Sequence, residues 1–388
     1  MIVELHMLQN FAPSNLNRDD TGMPKDCEFG GYRRARISSQ ALKRAVRMSF
    51  DKMDLIAADT RAKRSKRFVE RATELLTAQG KSVDDARRAI SMALASVGIM
   101  TSLEKEEVLT EYLLFLGDTE VHRLSDYCLE NWDALVASHM KLWGEGWKKP
   151  AKDRARKEAP AGSEKAVKSI LDGGKAAAVA LFGRMLADLP DSNRDAASQV
   201  AHAISTNRIS MELDYYTAVD DLNPEDTAGA GMIGTVGFNS ACFYRYANVD
   251  MGQLKHNLQG DEELSQRILE AFIRASVNAV PTGKQNSMAA HNPPSFVLAV
   301  VRRSSLWNLA NAFLKPVAPE GGEDLALRSV KALDSYWGKL VRMYGDDAVV
   351  GKWVVSLEED GVDNLKASTV PSIEALVENV LTGTQVRQ

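Results

Sequence analysis

The first residues of the chain alternate between apolar and polar positions. Val3, Leu5 and Met7 fall on one side of this pattern, and Glu4 and His6 fall on the other. A period of two is typical of a β-strand with one buried face. The sequence therefore predicts a half-buried strand at the start of the chain.

A loop and a helix are predicted next. Residues 9–32 are rich in Asn, Asp, Gly and Pro, which favours a long irregular loop. Ser38 and Ser39 then precede apolar positions with helical spacing, such as Leu42 and Val46. Because serine is a preferred N-cap residue, we expect a helix to begin here.

The middle of the chain has a different character. From residue 55 to residue 195, long amphipathic runs predict a helical subdomain inserted into another fold. Within it, residues 144–163 are rich in Gly, Pro and Lys and poor in apolar residues. This composition predicts a basic loop.

Strand patterns return after the helical region. A hairpin is expected over 209–241, with a Gly-rich tip at 220–237, and Phe238–Val249 is strongly strand-like. An amphipathic helix over 262–280 and a buried strand over 295–303 follow. This order of elements predicts an α+β fold, in which the helical subdomain and the hairpin are inserted into a sheet core.

Composition narrows the class of protein. Of 388 residues, 45% are hydrophobic and 26% charged, and no apolar run approaches the ~18 residues of a membrane span. Three distant cysteines predict neither a disulfide framework nor a zinc site, and no secretory leader is recognisable at the start. We therefore expect a cytoplasmic protein without cofactors. The net charge of −4 excludes a uniformly basic nucleic-acid binder but leaves room for a local basic surface.

Such a surface is predicted on the helix after Ser39. Gln40, Lys43, Arg44 and Arg47 share the side opposite the apolar positions, and residues 33–47 contain six basic residues and no acidic one. A solvated helix face would explain this, but such faces usually mix charge signs because like charges repel. A polyanion would relieve the repulsion, and the helix N-terminus could add contacts to phosphate.

Three carboxylates in the preceding loop offer an alternative. Asp19, Asp20 and Asp26 could form a metal site for phosphodiester cleavage, or could pair with basic residues of their own loop. Lys284, in a glycine-containing turn, could contact phosphate, although the turn lacks the upstream glycine of a P-loop.

Aromatic residues suggest base stacking. Tyr244 and Tyr246 would share one face of a strand, where exposed rings could stack on bases or pack in a core. Tyr215 and Tyr216 face opposite ways in the hairpin, so one of them is a candidate wedge between bases.

Several segments, in the same order, match those of a known family. The most specific is Arg33-Arg34-Ala35-Arg36-Ile37-Ser38-Ser39-Gln40-Ala41-Leu42-Lys43-Arg44-Ala45. Others are Leu16-Asn17-Arg18-Asp19-Asp20, Thr217-Ala218-Val219-Asp220-Asp221-Leu222 and Phe243-Tyr244-Arg245-Tyr246-Ala247-Asn248. In these segments the sequence resembles CasC, the backbone subunit of type I-E CRISPR surveillance complexes (Cascade). The resemblance covers most of 1–50 and 199–300 and is weak in the helical insert and beyond 320.

The resemblance implies a hand-shaped, non-catalytic subunit. Its palm would be a modified RNA-recognition (ferredoxin-like) sheet, with inserted helical fingers and a β-hairpin thumb. The boundaries expected here are 1–55, 198–208 and 242–388 for the palm, 56–197 for the fingers and 209–241 for the thumb.

The resemblance also implies partners and RNA contacts. Copies would bind head to tail along one CRISPR RNA beside other Cascade subunits, and the guide would pair with a target DNA strand. RNA-contacting positions of the family match Arg18, Lys25, Ser38, Gln40, Lys43 and Arg47. A base-stacking methionine matches Met185, and the thumb wedge falls near Tyr216. The basic segment 148–157 would suit contact with target DNA.

Two other functions remain open at the level of the sequence. One is a metal-dependent RNA endonuclease that uses Asp19, Asp20 or Asp26. The other is a purely structural assembly subunit that binds no nucleic acid.

Overall fold

A computed structural model describes residues 1–145, 147–218 and 232–385. The chain divides into two compact units. Unit 1 comprises Met1–Leu55, Ser198–Met251 and Leu269–Gln388, and unit 2 comprises Ile56–Ala197 and Gly252–Ile268. No helix among the described residues has the length and apolar character needed to cross a bilayer.

The secondary structure mixes helices and strands throughout the described chain. The strands are β1 (Ile2–Ser14), β2 (Asp26–Phe29), β3 (Tyr32–Ile37), β4 (Ala62–Ser65), β5 (Thr101–Glu104), β6 (Glu107–Thr110), β7 (Leu114–Gly117), β8 (Ser198–Val200), β9 (Ala203–Ser205), β10 (Glu212–Ala218), β11 (Met232–Asp250), β12 (Phe296–Arg302) and β13 (Val349–Ser356). The helices are α1 (Ser39–Lys52), α2 (Phe68–Thr77), α3 (Val83–Ser96), α4 (Asp118–Glu130), α5 (Trp132–Trp143), α6 (Lys152–Glu158), α7 (Ser163–Ile170), α8 (Ala177–Phe182), α9 (Met251–Asn257), α10 (Glu262–Asn278), α11 (Gln285–Met288), α12 (Leu325–Tyr344) and α13 (Ile373–Gln385).

Unit 1 is built on one antiparallel sheet. Its strand order is β13-β12-β1-β11-β9-β3-β2, and β8 and β10 also pair with β11. Strand β1 lies in the centre, with Ile2 opposite Asp250 of β11 and Arg302 of β12. The predicted α+β class is confirmed. The segment 198–208, expected to belong to the palm, contains two short strands, β8 and β9.

Both faces of the central strand are buried, so the prediction of a half-buried strand is wrong. Glu4 and His6 are as inaccessible as Leu5. Each side chain has a partner inside the protein: the Tyr246 hydroxyl donates to Glu4 Oε1 at 2.8 Å, and His6 Nδ1 bonds the Tyr244 hydroxyl at 2.9 Å. Buried polar groups need such partners, and a two-residue period cannot reveal them from one strand alone.

Helices and turns cover the two sheet faces. On one face, Tyr244 and Leu298 pack in a core that includes Trp337 of α12. On the other, Phe11 and Phe243 pack in a core that includes Leu42 of α1. Helix α1 is therefore anchored by its apolar side, which fixes the direction of its polar side.

Unit 2 is more varied than the helical pattern predicts. Besides α2–α8 it contains two small antiparallel sheets, β4 with β7 and β5 with β6. Its core includes Ile90 of α3 and Leu124 of α4. The expected loop over 144–163 contains helix α6, in which Lys152 pairs with Asp188 at 3.0 Å. Such a pair offsets part of the positive charge of this segment.

The predicted hairpin has a paired stem. Strands β10 and β11 are antiparallel, with Glu212 opposite Phe238 and Tyr216 opposite Gly234. Most of the Gly-rich tip, 219–231, lies outside the described residues, as do 386–388 at the end of the predicted palm.

Candidate nucleic-acid interface

Helix α1 presents a basic side to solvent. Ser38 is its N-cap and accepts a hydrogen bond from Ala41 N at 3.3 Å, and Leu42, Val46 and Phe50 are buried. The other side of the helix carries the predicted polar set. Gln40 and Arg44 are exposed, and Lys43 and Arg47 are half-buried.

Burial affects two of the predicted α1 residues. It lowers the pKa of Lys43, because partial desolvation disfavours the charged ammonium. An anion bound beside Lys43 would offset that effect. Ser38 is buried and uses its hydroxyl in the helix cap. Its contribution is therefore to place the first turn of α1.

The loop before β2 is fastened to the start of α1. Asn17 Oδ1 accepts from Ser38 N at 2.8 Å, and Lys25 N donates to the Asn17 carbonyl at 2.8 Å. The Asn15 side chain donates to the carbonyls of Gly22 at 3.0 Å and Gly237 at 2.8 Å. These bonds hold the backbone on both sides of exposed Arg18, so its position relative to α1 is fixed.

A distant turn completes this surface. Gly283 approaches the loop so closely that a Cβ there would lie 2.6 Å from the Asn15 carbonyl oxygen. Only glycine permits such an approach, and it brings the neighbouring Lys284 beside residues 15–16. Lys284 adopts a left-handed backbone with φ of 50°. Sequence spacing does not show that this turn meets the N-terminal loop.

Between the turn and α1 lies an open cleft of about 210 Å³. Asn17, Arg44, Lys52 and Thr282 are among its lining residues. We call the surface formed by loop 15–25, the polar side of α1 and turn 281–284 the basic surface. It joins Arg18, Lys25, Gln40, Lys43, Arg44, Arg47 and Lys284, all predicted from the sequence.

The three arginines upstream of α1 have separate roles. Arg34 is buried, and its guanidinium donates to the carbonyls of Thr206 and Phe313, each at 2.6 Å. Arg33 pairs with Asp26. Arg36 contacts His202, with 3.1 Å between Nη1 and Nδ1. Arg34 therefore has a structural role inside unit 1. For this reason, not every basic residue between positions 33 and 47 is available at the surface.

The loop carboxylates serve local structure. Asp19 Oδ1 accepts from Thr21 N at 2.9 Å and from Met23 N at 3.0 Å. The Thr21 hydroxyl bond is the main reason that the pKa of Asp19 is lowered. Asp26 is engaged by Arg33. Among described residues, no group of three or more His, Cys, Asp or Glu side chains is arranged to hold a metal ion.

The sheet tyrosines are not a stacking platform. Tyr244 and Tyr246 are buried, and the Tyr244 hydroxyl accepts from Leu309 N and bonds His6 Nδ1, both at 2.9 Å. The Tyr244 ring also lies 5.5 Å from that of Phe313. The suggestion that these rings stack on bases is therefore wrong, because the core shared with α12 covers that face of the sheet.

Both hairpin tyrosines are accessible. Tyr215 is 62% exposed and Tyr216 is 39% exposed. Tyr216 lies across the hairpin against Gly234, which accounts for its lower exposure. The Tyr216 ring is therefore accessible enough to act as a wedge between bases, and its packing against Gly234 holds it in place.

Met185 lies in unit 2 and is strongly exposed beside a deeply anchored neighbour. The Arg184 guanidinium is buried and pairs with Glu120 at 2.8 Å. Met185 lines an open cleft of about 430 Å³ together with Arg64 and Phe115. The buried ion pair fixes the backbone next to Met185. Nothing in the sequence around Met185 predicts this ion pair.

Two further residues belong to the basic surface or its edge. Lys52 lines the cleft one turn beyond Met48, at the end of α1, and is not among the residues predicted from the sequence. His202 lies beside Arg36, and burial followed by the charges of Arg36 and Lys25 lowers its pKa. The i, i+4, i+8 spacing of Arg44, Met48 and Lys52 is a signal that could have found Lys52.

Comparisons with known proteins cover almost the entire chain. The family model described as CT1975-like protein matches residues 3–379. No curated protein sequence matches the chain. A solved chain titled "CRISPR RNA-guided surveillance complex, pre-nicking" is 30% identical, with a TM-score of 0.84 over 98% of this chain and 99% of that one. Another, titled "CRISPR RNA-guided surveillance complex", is 26% identical, with a TM-score of 0.73 over 98% and 99% of the two chains.

Proposed function

The chain belongs to the CT1975-like protein family and is a CasC-type subunit of a CRISPR surveillance complex, and from this premise we propose that it is the RNA-binding backbone subunit. Several copies would bind head to tail along one CRISPR RNA beside other Cascade subunits. The guide bases would then pair with a target DNA strand in antiviral defence. The assignment to type I-E and to the cytoplasm belongs to the same proposal.

The observation that carries the proposal is the basic surface of unit 1. Turn 281–284 is far from loop 15–25 and α1 in sequence. The hydrogen bond from Ser38 N to the Asn17 side chain and the close approach of Gly283 to the Asn15 carbonyl hold the three elements together around an open cleft. Cations fixed in one surface can neutralise successive phosphates of one strand. Because base pairing carries the sequence information, the subunit needs contacts to the RNA backbone and shape rather than to base edges.

Strand order supports a modified RNA-recognition palm. Along the chain, β1, α1, β9, β11, α10 and β12 follow a β-α-β-β-α-β order, and in the sheet they lie in the order β12-β1-β11-β9. This order matches that of the ferredoxin-like fold, which supports the proposed palm. The departure is that α12 covers the face carrying Tyr244, so RNA would bind beside the sheet, at α1.

The remaining parts of the hand are assigned by analogy with the family. We assign unit 2 to the fingers, with Met185 stacking on a base, and the β10–β11 hairpin to the thumb, with Tyr216 as its wedge. A thioether and a phenol ring both offer polarizable apolar surface to any base, which suits binding without sequence preference. Lys148 and Arg154, in the segment with α6, would face target DNA.

A charge-reversal variant tests the proposal. Lys43→Glu with Arg47→Glu should remain folded but should no longer assemble on guide RNA at moderate salt. The matched control reverses two exposed lysines elsewhere, Lys105→Glu with Lys366→Glu, and should assemble normally. Equal assembly by both variants would reject the role of the basic surface.

The same preparation addresses the two other functions. We propose binding without cleavage, because Asp19 and Asp26 already have partners in their own loop. Incubation with labelled RNA and Mg²⁺ should return the RNA intact, whereas fragments would favour an endonuclease. A complex that purifies without RNA from cells expressing a CRISPR array would favour a purely structural subunit.

A further inference from the structure

His202 is exposed and lies beside the start of α1. It immediately precedes Ala203 of β9, which pairs with Ile37 of β3. Ile37 is followed in turn by Ser38, the N-cap residue of α1. This register places His202 at the edge of the basic surface. His202 is not among the positions to which the resemblance to CasC assigns contact with RNA.

Arg36 determines which ring nitrogen of His202 carries the proton. Arg36 Nη1 lies 3.1 Å from His202 Nδ1, and Arg36 Nε donates to the Asp26 carbonyl at 3.1 Å. Because a guanidinium has only N–H donors, His202 Nδ1 is the acceptor of this hydrogen bond. In the neutral ring the proton is then on Nε2, which has no hydrogen-bond partner among the described residues.

The surroundings of His202 favour its neutral form. Partial burial, followed by the charges of Arg36 and Lys25, lowers the pKa of His202 from 6.5. At neutral pH the imidazole is therefore uncharged and offers one unpartnered N–H, at Nε2. Phosphate oxygens bond most strongly to charged donors, so the neighbouring cations suit phosphate better than this N–H does. The neutral donor suits an uncharged oxygen.

The charge of Arg36 is available to an anion beside His202. Arg36 accepts no carboxylate from Asp26, because the Asp26 side chain is engaged by Arg33 and only its carbonyl bonds Arg36. Two hydrogen bonds hold the Arg36 guanidinium in place, so it could neutralise a phosphate without losing further side-chain freedom. Phosphate and ribose alternate along an RNA strand. A phosphate at Arg36 would therefore bring a ribose to the neighbouring Nε2 of His202.

We propose that His202 donates from Nε2 to a ribose 2′-hydroxyl and so makes the basic surface selective for RNA over DNA. The 2′-hydroxyl is the group by which a protein distinguishes the two backbones at a given site. The inference rests on the proposed function, since it assumes an RNA strand on the basic surface. It deepens that function, because contacts to phosphate alone would also hold a DNA strand.

Strands that differ only at the ribose test this contact. Fluorescence anisotropy would compare a short RNA that holds one copy with the same sequence carrying 2′-fluoro groups. Fluorine retains the sugar pucker of RNA but is a poor hydrogen-bond acceptor, so shape and charge stay constant. His202→Leu removes the donor, whereas His202→Gln can accept from Arg36 through Oε1 and donate through Nε2. The matched control is His256→Leu, at an exposed position of α9 in unit 2.

We expect the unmodified chain to bind the RNA about fivefold more tightly than the 2′-fluoro strand, the usual effect of one hydrogen bond. His202→Leu should lose that preference but bind the 2′-fluoro strand like the unmodified chain, which would also show that it folds. His202→Gln should restore most of the preference, and His256→Leu should retain all of it. The salt dependence should be the same in all four chains, because none of the changes removes a charge at the RNA.

Two results would overturn the inference. One is equal affinity of the unmodified chain for the two strands, or a preference for RNA that His202→Leu retains. The other is an equal loss of affinity for both strands in His202→Leu, with a shallower salt dependence, which would make His202 a phosphate contact. Binding of neither strand by the unmodified chain would instead reject the proposed function, and the inference with it.

Discussion

The ring of Tyr216 lies against Gly234 of the opposite hairpin strand, so that a Cβ at position 234 would meet the ring and its hydroxyl at 2.5 Å. The hairpin therefore fixes the ring that we propose as the wedge between bases. Glycine at 234 is needed for this packing, because any larger residue would displace the phenol.

Replacing Gly234 should impair assembly on RNA although position 234 bears no side chain that could touch RNA. We expect Gly234→Ala to load fewer copies on a long RNA, in the same direction as Tyr216→Ala. Tyr216→Phe retains the ring and is the matched control, which should load normally. The measurement is native mass spectrometry at fixed protein concentration. Normal loading by Gly234→Ala would show that the ring position is unimportant.

The salt dependence of RNA binding should separate surface arginines from buried ones. If about four phosphates are contacted per subunit, log affinity should fall against log salt with a slope of roughly −3 per subunit. Arg44→Gln should reduce the steepness of that slope by about 0.7 and leave the free energy of unfolding almost unchanged. Fluorescence anisotropy with a short RNA between low and moderate salt measures the slope.

Arg34→Gln is the informative contrast in the same run of basic residues. Its guanidinium bonds the carbonyls of Thr206 and Phe313 inside unit 1. We therefore expect a loss of at least ~2 kcal/mol in the free energy of unfolding, because buried carbonyls would lose their donors. The salt slope of the folded fraction should not change. A reduced slope in this variant would place Arg34 at the RNA.

The sequence is a good guide where one periodicity decides the structure. The apolar spacing of Leu42 and Val46 predicts α1, and its opposite side predicts Gln40 and Arg44 at the surface, as found. The prediction breaks down where a partner comes from far along the chain. Arg34 reads like its neighbour Arg33, and only Phe313, 279 residues later, makes it a buried residue.

The same limit applies to the sheet and to the clefts. The alternation of apolar and polar residues in β1 predicts one solvent-exposed face, but α12 covers the side that bears His6. Lys284 joins the basic surface through the close approach of Gly283 to Asn15, a contact between elements about 270 residues apart. Local pattern carries no information about such contacts, because they depend on packing between elements.

Loss of Arg184 from its buried ion pair with Glu120 should destabilise unit 2. Both side chains are almost fully buried, and Glu120 also accepts from Gly173 N at 3.0 Å. We expect Arg184→Leu to lower the free energy of unfolding by about 3–5 kcal/mol, since it leaves a buried carboxylate unpaired.

Urea denaturation of the full chain, monitored by tryptophan fluorescence, measures this loss. The matched control is Arg71→Leu, which breaks an exposed pair with Glu74 and should change stability by less than about 1 kcal/mol. If the two variants lose similar free energies of unfolding, then breaking the buried Arg184 pair costs no more than breaking an exposed one.

The aromatic stack around His139 should make unit 2 sensitive to acid. His139 lies 4.4 Å from the Trp143 ring centroid and 4.5 Å from that of Trp147, and neither of its ring nitrogens has a hydrogen-bond partner among described residues. Burial, followed by the charge of Arg88, lowers the pKa of His139 from 6.5 to about 3.

The unfolded chain therefore binds a proton at His139 that the folded chain does not bind between pH 6.5 and 3. Stability contributed by the neutral ring is fully present above pH 6.5 and falls with pH below it, by up to about 1.4 kcal/mol per pH unit. His139→Phe keeps a stacked ring without a titrating group. We expect a flatter decline of the free energy of unfolding between pH 7 and 5, and a gain of about 1 kcal/mol at pH 7 because two unpaired buried nitrogens are removed.

His122→Phe, at an exposed position of α4, is the matched control and should leave the decline unchanged. His6 contributes a decline of the same sign, since burial lowers its pKa to about 3 as well, so the His139 variant should remove only part of the total. If His139→Phe and the unmodified chain lose stability in parallel as the pH falls, then His139 takes up its proton in the folded state, and the Trp143–Trp147 stack must open to admit water at a cost too small to register.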